Sequence, residues 1–276
     1  WLDVNVRPQR QDGYSLVEVF LPLGDISADQ LRGLARLCEK HVHGTVRTTV
    51  SQNLLIRWVP NGDLLAFYKG LKSLEIAAAG AGRLADVTAC PGTDSCKLGI
   101  TSSRGMAAVL REKFSNGMSD IADRDDLKVK ISGCFNACGQ HHIADIGFFG
   151  SVQRKGNNIA PVVQVILGGT TKENAKSFGL TVGKVATKRA PDVVRKLSNF
   201  YSTEKTGEET LADVVNRVGK ARLKAELEDL VQIPDYNQNS DFYRDSRQPW
   251  EYTKNIGVGE CAGEIVDQAE FMLEDA

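Results

Sequence analysis

No apolar run in this sequence approaches the roughly 20 residues that a helix needs to cross a bilayer. No amino-terminal stretch reads as a signal peptide. Charge of one sign is missing too: the net charge is −1 at neutral pH, so nothing global points to nucleic acid. Neither an internal repeat nor a low-complexity segment is visible. The G-x-G-x-x-G spacing of a nucleotide loop is absent, and the glycines from Gly257 to Gly263 imitate it only superficially. No membrane and no nucleic-acid partner is therefore expected. The chain opens Trp1-Leu2-Asp3 without methionine, which reads as a processed product or an excised fragment of a longer protein.

What is present supports a core: 42% of the 276 residues are hydrophobic, too many for a disordered chain. Six cysteines occur, but they do not space like a secreted disulfide framework, and a chain of this size folds without staples. Close pairs in a signal-free chain favour metal or cluster ligation. A reducing compartment, the cytoplasm, is the expected location.

In chain order, Tyr14 to Leu21 is β-rich and stops at Pro22. Ser27 reads as the N-cap of a helix with Leu31, Leu34, Ala35 and Cys38 at helical spacing. Thr45 to Val50 and Leu54 to Val59 read as strands, and Asn61-Gly62-Asp63 as a turn and cap before a helix through Leu71. The order β-α-β-β-α implies an α+β arrangement resembling a ferredoxin-like half. The small residues from Ala77 to Gly82 suggest a boundary. Then come Leu84 to Ala89, a cysteine pair, a helix from about Leu98 to Phe114, a strand from Leu127 to Ile131 and a second pair. Ala144 to Val152 and Pro161 to Leu167 form an expected hairpin. Helices are expected over Pro191 to Tyr201 and, with Leu211, Val214, Val215 and Val218 on one face, over Glu208 to Leu230. From Gln232 onward the chain is polar with scattered aromatics and reads as a wrapping arm, followed by a short helix to Met272. The expected segments are 1–80, 81–231 and 232–276.

The chemistry concentrates in two loops. Cys90 and Cys96 have five residues between them, and Cys134 and Cys138 have three. Three readings compete: buried thiols or a disulfide, a zinc site, and an iron–sulfur cluster held by four thiolates. Structural zinc sites use two to four residues between paired ligands, so the wider first loop suits a larger object than one ion. His141 and His142 keep zinc in play, though they read more simply as loop residues. Gly133 and Gly139 flank the second pair and allow close approach of a bulky group. Cys38 reads as an ordinary core residue and Cys261 as an exposed one.

The run Ser-Gly-Cys, three residues, Cys, six residues, Asp-Ile-Gly-Phe over Ser132 to Phe148 resembles the signature of the sirohaem-dependent nitrite and sulfite reductases, in particular their C-terminal half. The upstream cysteine pair fits the same family, and Arg47-Thr48-Thr49-Val50-Ser51-Gln52-Asn53 resembles a strand pair of its ferredoxin-like domain. The resemblance implies a ferredoxin-like half domain followed by an α/β [4Fe–4S] and sirohaem domain. It implies that Cys90, Cys96, Cys134 and Cys138 hold a [4Fe–4S] cluster. Cys138 would also bridge to the sirohaem iron and so sit at the catalytic centre. The implied reaction is six-electron reduction of sulfite to sulfide or nitrite to ammonia, with a lean to sulfite that no residue decides. Electrons would come from ferredoxin or a flavoprotein. Family members are built from two similar halves, and the missing N-terminal half would supply most of the anion-binding cations, so this piece alone is expected to be inactive or incomplete. Arg47 and Asn53 are candidates to bind sirohaem carboxylates, with Arg57 assigned rather to the solvated surface. Arg104 is a further haem-side candidate, and Asn136 is placed either to hydrogen-bond a cluster sulfur or to make the turn. A four-cysteine iron–sulfur electron-transfer or zinc-binding module without catalysis of its own is the rival reading.

Overall fold

The computed structural model describes residues 1–42, 44–171 and 177–254. The glycine-rich segment 257–263, Cys261 and the helix expected up to Met272 lie outside the described residues. The fold is α+β, and the chain divides into two compact units, Trp1–Thr88 and Ala89–Ala276.

In the first unit a four-stranded antiparallel sheet runs in the order β1-β2-β4-β3. Its strands are β1 (Val6–Pro8), β2 (Tyr14–Val19), β3 (Val46–Thr48) and β4 (Leu54–Pro60). Helices α1 (Ala28–Val42) and α2 (Leu64–Ser73) supply the remaining core. The expected cap is present: the Gln30 N–H donates to Ser27 Oγ and the Ser27 N–H to Gln30 Oε1, a reciprocal box that satisfies two orphan donors. Leu34 and Cys38 are buried, as their spacing predicts, whereas Leu31 is half exposed. Leu31 falls outside the apolar stripe because the core side of this helix is filled by Gly33, Leu34, Cys38 and Val42. Val17, Val19, Ile56, Val59, Phe67 and Leu71 complete that core.

The second unit is built on a five-stranded sheet in the order β5-β6-β7-β8-β9, with β5 (Thr88–Ala89), β6 (Val129–Ser132), β7 (Ile146–Lys155), β8 (Asn158–Leu167) and β9 (Leu180–Ala186). β6 and β7 are parallel, and β7, β8 and β9 are antiparallel. The expected hairpin is β7–β8, turned by Gly156 at φ +59°. The longer helices of this unit are α3 (Ser103–Ser115), α4 (Ala190–Glu204) and α5 (Leu211–Glu226). A capping box between Thr210 and Asp213 starts α5. Gly219, at φ 76° and ψ 163°, interrupts it and splits the single long helix expected from Glu208 to Leu230. Strand β9 carries no clear alternation in sequence and is found only in the structure.

Residues 232–254 are an arm with its own small core. Ile233 and Tyr243 are buried against Ala160, Val162 and Ala186. The Tyr243 hydroxyl donates to Pro234 O at 3.0 Å. Among the described residues no helix is long and apolar enough to cross a membrane.

Candidate cluster site

Sheet geometry delivers both cysteine loops to one place in the second unit. The first loop leaves β5 at Cys90, whose N–H donates to Ile131 O in β6 at 3.1 Å. The second loop leaves β6 at Ser132. Gly133 then joins the two loops with its whole backbone: its carbonyl accepts from the N–H groups of Ile100 (2.8 Å) and Thr101 (3.0 Å). Its own N–H donates to Cys90 Sγ at 3.1 Å. A side chain at this position has no room, since a Cβ would lie 2.7 Å from Gly92 Cα and 2.8 Å from Thr101 O. Gly150 in β7 closes the cradle from behind, where a Cβ would come within 2.1 Å of Gly133 O. Asp145, from the Asp-Ile-Gly-Phe run, ties β7 to β6 by accepting the Lys128 N–H at 2.8 Å. Burial pushes its carboxyl up to about 6.

The second loop is held by its own neighbours. Ser132 Oγ accepts the Gly139 N–H at 3.0 Å and lies 2.8 Å from His141 Nδ1. The His141 ring is fully buried, stacks on Phe149 with centroids 4.8 Å apart, and titrates at about 3 because burial penalises its charged form. His141 is thus a neutral brace through Nδ1, and its Nε2 is buried without a hydrogen-bond partner. Its signal in the sequence, a serine nine residues before a histidine, means nothing until β6 and the loop bring them together.

The four thiols bear on one another. Burial raises Cys134, and the charges of Cys90, Cys138 and Cys96 raise it further, while an N–H from Asn136 lowers it. None of Cys38, Cys90, Cys96, Cys134 and Cys138 is in a disulfide, which removes that reading for these five. Among the described residues no three His, Cys, Asp or Glu side chains form a group that could hold a metal ion. The thiols therefore share a field without converging on an ion-sized point. Exposure separates them: Cys90 and Cys134 are buried, Cys96 is half-buried, and Cys138 is exposed.

The helix after Cys96 does not begin at Leu98. Residues 97–102 are drawn into the loop by Gly133, and Ser102 caps α3 by accepting the Gly105 N–H at 3.2 Å. The positive end of α3 consequently meets Cys90 of the first loop: Ser103 Oγ lies 3.4 Å from Cys90 Sγ and donates to Cys90 O at 2.7 Å. Asn136 is exposed and contributes through its backbone, not its amide. Arg104 Nε faces Asp94 Oδ2 in the first loop at 3.5 Å.

Arg47 and Asn53 belong to the first unit. Arg47 stands opposite Leu55 in the β3–β4 register and is exposed. Asn53 is buried, and its amide is fully engaged: Oδ1 accepts the Leu21 N–H at 2.9 Å, and Nδ2 donates to Asp86 (2.8 Å) and Glu18 (3.2 Å). Arg57 is partly buried, with an Nε that has no hydrogen-bond partner. Alternation along β4 sets it beside Leu55, on the face away from the buried Leu54 and Ile56.

Comparison with known proteins adds independent findings. The family model "Nitrite/Sulfite reductase ferredoxin-like half domain" matches residues 7–74, and "Nitrite and sulphite reductase 4Fe-4S domain" matches residues 80–234. The ferredoxin–nitrite reductase of Synechococcus elongatus is 27% identical over 194 residues, 70% of this chain and 37% of that protein. A sulfite reductase [ferredoxin] 1 of Mycolicibacterium paratuberculosis is 27% identical over 219 residues, 78% of this chain and 39% of that protein. The solved structure of the Mycobacterium tuberculosis NirA protein superimposes with a TM-score of 0.70 at 27% identity, covering 80% of this chain and 41% of NirA. The chain thus spans well under half the length of the curated relatives it matches.

Proposed function

The chain belongs to the nitrite and sulfite reductase family, and on that premise we propose that it carries the [4Fe–4S] and sirohaem portion of a reductase for nitrite or sulfite. The observation that carries the proposal is the joining of the two cysteine-bearing loops through the backbone of Gly133. The donor set fits the cluster: four sulfurs, two of them already accepting N–H bonds from Gly133 and Asn136. Such bonds favour the thiolate that ligation requires and tune the potential of the bound centre.

Cys90, Cys96, Cys134 and Cys138 are the proposed cluster ligands. Cys138, the exposed member, is the sulfur proposed to be shared with sirohaem iron. When bound, the cluster would supply electrons singly and the sirohaem would supply the iron at which the anion is reduced. The chain's own residues do the rest. Burial of Cys90 and Cys134 excludes water from the inner corner, and the Ser132–His141 brace fixes the turn that carries Cys138. Arg47, exposed on β3, is proposed to pair with macrocycle carboxylates. Asn53 braces the hairpin behind it, and Arg104 acts through Asp94. Nitrite is the first substrate to test and sulfite the second, with ferredoxin as donor; the names carried by the relatives support that choice.

The test is anaerobic reconstitution with iron and sulfide, followed by absorption spectroscopy and chemical assay. About four irons and four labile sulfides per chain are expected. One zinc per chain without sulfide would overturn the cluster. Cys138→Ser is expected to abolish sirohaem coupling in a chain that takes up both groups; unchanged haem bands and turnover would remove Cys138 from the bridging role.

A further inference from the structure

The arm, residues 232–254, runs beyond the part of the chain matched by the cluster-domain model and ends against the first cysteine loop. Asp245, almost fully buried, accepts the Ser102 N–H on Oδ2 at 2.6 Å. Ser102 is the residue that caps α3, and its hydroxyl also donates to Asp94 Oδ1 at 3.2 Å inside the loop. The Tyr252 hydroxyl donates to Ile100 O at 2.7 Å. Between these two bonds the arm backbone lies flat on the helix: a Cβ on Gly105 would fall 2.4 Å from Ser246 O. Arg247 pairs with Glu112 one helical stretch further on. A cavity of about 340 Å³ separates arm from loop, lined by Cys96, Lys97, Asp245, Gln248, Trp250 and Tyr252.

The two contacts fall on a segment with few alternatives. Residues 97–102 have no helix or strand of their own. The Ile100 N–H and the Thr101 N–H are already spent on Gly133 O. The Thr101 carbonyl accepts from the Thr93 and Ser103 N–H groups, and the arm takes the Ile100 carbonyl and the Ser102 N–H. The arm can do this because it is anchored elsewhere, through Ile233 and Tyr243 on β8 and β9 and through the Tyr252 N–H donating to Tyr243 O at 2.8 Å.

We infer that the arm is a clamp on the first cysteine loop, with Asp245 and Tyr252 as positioning residues for Cys96. The inference rests on the reading of Cys96 as a cluster ligand. The buried carboxylate also places a negatively charged hydrogen-bond acceptor at the end of the loop, so the clamp bears on the potential of a bound cluster as well as on its retention.

The experiment compares Tyr252→Phe and Asp245→Asn with the wild-type full chain in two states. In the metal-free protein, amide exchange of Ile100 to Gly105 and alkylation of Cys96 by a maleimide, relative to Cys134, are followed by mass spectrometry. Loss of one hydrogen bond is expected to speed both roughly tenfold, with exchange in the β7–β8 hairpin unchanged. In the reconstituted protein, Asp245→Asn is expected to shift the cluster midpoint potential upward, because a negative charge near the centre is removed. Wild-type exchange and alkylation in Tyr252→Phe, whose lost hydroxyl leaves the arm's anchor intact, overturn the clamp. A wild-type potential in Asp245→Asn overturns its bearing on the potential, and wild-type exchange and alkylation in the same variant overturn its positioning role. A chain that takes up no iron would count against the proposed function, while exchange and alkylation would still decide whether the clamp exists.

Discussion

The two cysteine loops reach the same site by different means. The second is held from within its own neighbourhood: Ser132, Gly139 and His141 lie within nine residues of one another. The first is held from far away, by Gly133 and by Asp245 and Tyr252, the last two 143 and 152 residues from their partners. A local loop is a property of its motif. A remote one is a property of the completed fold.

The largest effect is expected where the two loops depend on the same residue. Gly133→Ala would force a Cβ to 2.7 Å from Gly92 Cα. Overpacking of this kind costs about 1–3 kcal/mol, and both loops would separate. Cluster uptake should be lost, while far-UV circular dichroism and the first unit's own unfolding transition are retained. If Gly133→Ala took up a full complement of iron, the shared-backbone picture would fail.

A smaller effect confined to the second loop is expected from Ser132→Ala. It would leave the Gly139 N–H and His141 Nδ1 without their partner inside the fold, at a cost of about 1–3 kcal/mol. Amide exchange at Gly139 should rise, while the amides of Ile100 and Thr101 keep their protection. Equal loss of protection in both loops would show that they open as one unit.

Acid should distinguish the loops as well. His141 titrates at about 3 in the fold, well below its ordinary 6.5. The unfolded or opened state therefore binds the extra proton between those values, and closure of the second loop weakens as pH falls from about 6.5 toward 3. Asp245 runs the other way: burial raises its carboxyl above 3.8. In the interval above 3.8 the folded state binds more protons, so acidification there does not cost the first loop through this group. Exchange measured loop by loop against pH would show Gly139 losing protection first; the opposite order would refute the assignment.

The smallest effect is expected at Asn136. Its N–H supports Cys134 and its amide is exposed, so Asn136→Ala should change stability and cluster content by no more than about 0.5 kcal/mol equivalent. A large loss of cluster would restore the side-chain role that its place between the cysteines suggests.

This contrast also explains what could be read before the fold was known. The second loop was legible because its spacing, its flanking glycines and the strands on either side are all local signals. The α+β order and the Ser27 cap were legible for the same reason. The start of α3 was not: nothing in Leu98 to Ser102 announces that Gly133 and the arm will claim its backbone. Strand β9 escaped because Leu-Thr-Val-Gly-Lys lacks alternation, and its pairing with β8 is what makes it a strand. Asn53 reads as a cofactor contact in the sequence, yet its amide is engaged by Leu21, Glu18 and Asp86, which lie 32, 35 and 33 residues away.

The distance in sequence between Cys96 and Tyr252 also has a consequence in time. On the ribosome, all four thiols have emerged long before the residues that close over the first of their loops. A nascent chain ending before Asp245 already holds the Gly133 junction but lacks the bonds to Ser102 and Ile100. Iron and sulfide delivered before the arm is made would therefore meet a vestibule open on the Cys96 side, and emergence of Asp245 and Tyr252 would shut the door behind them.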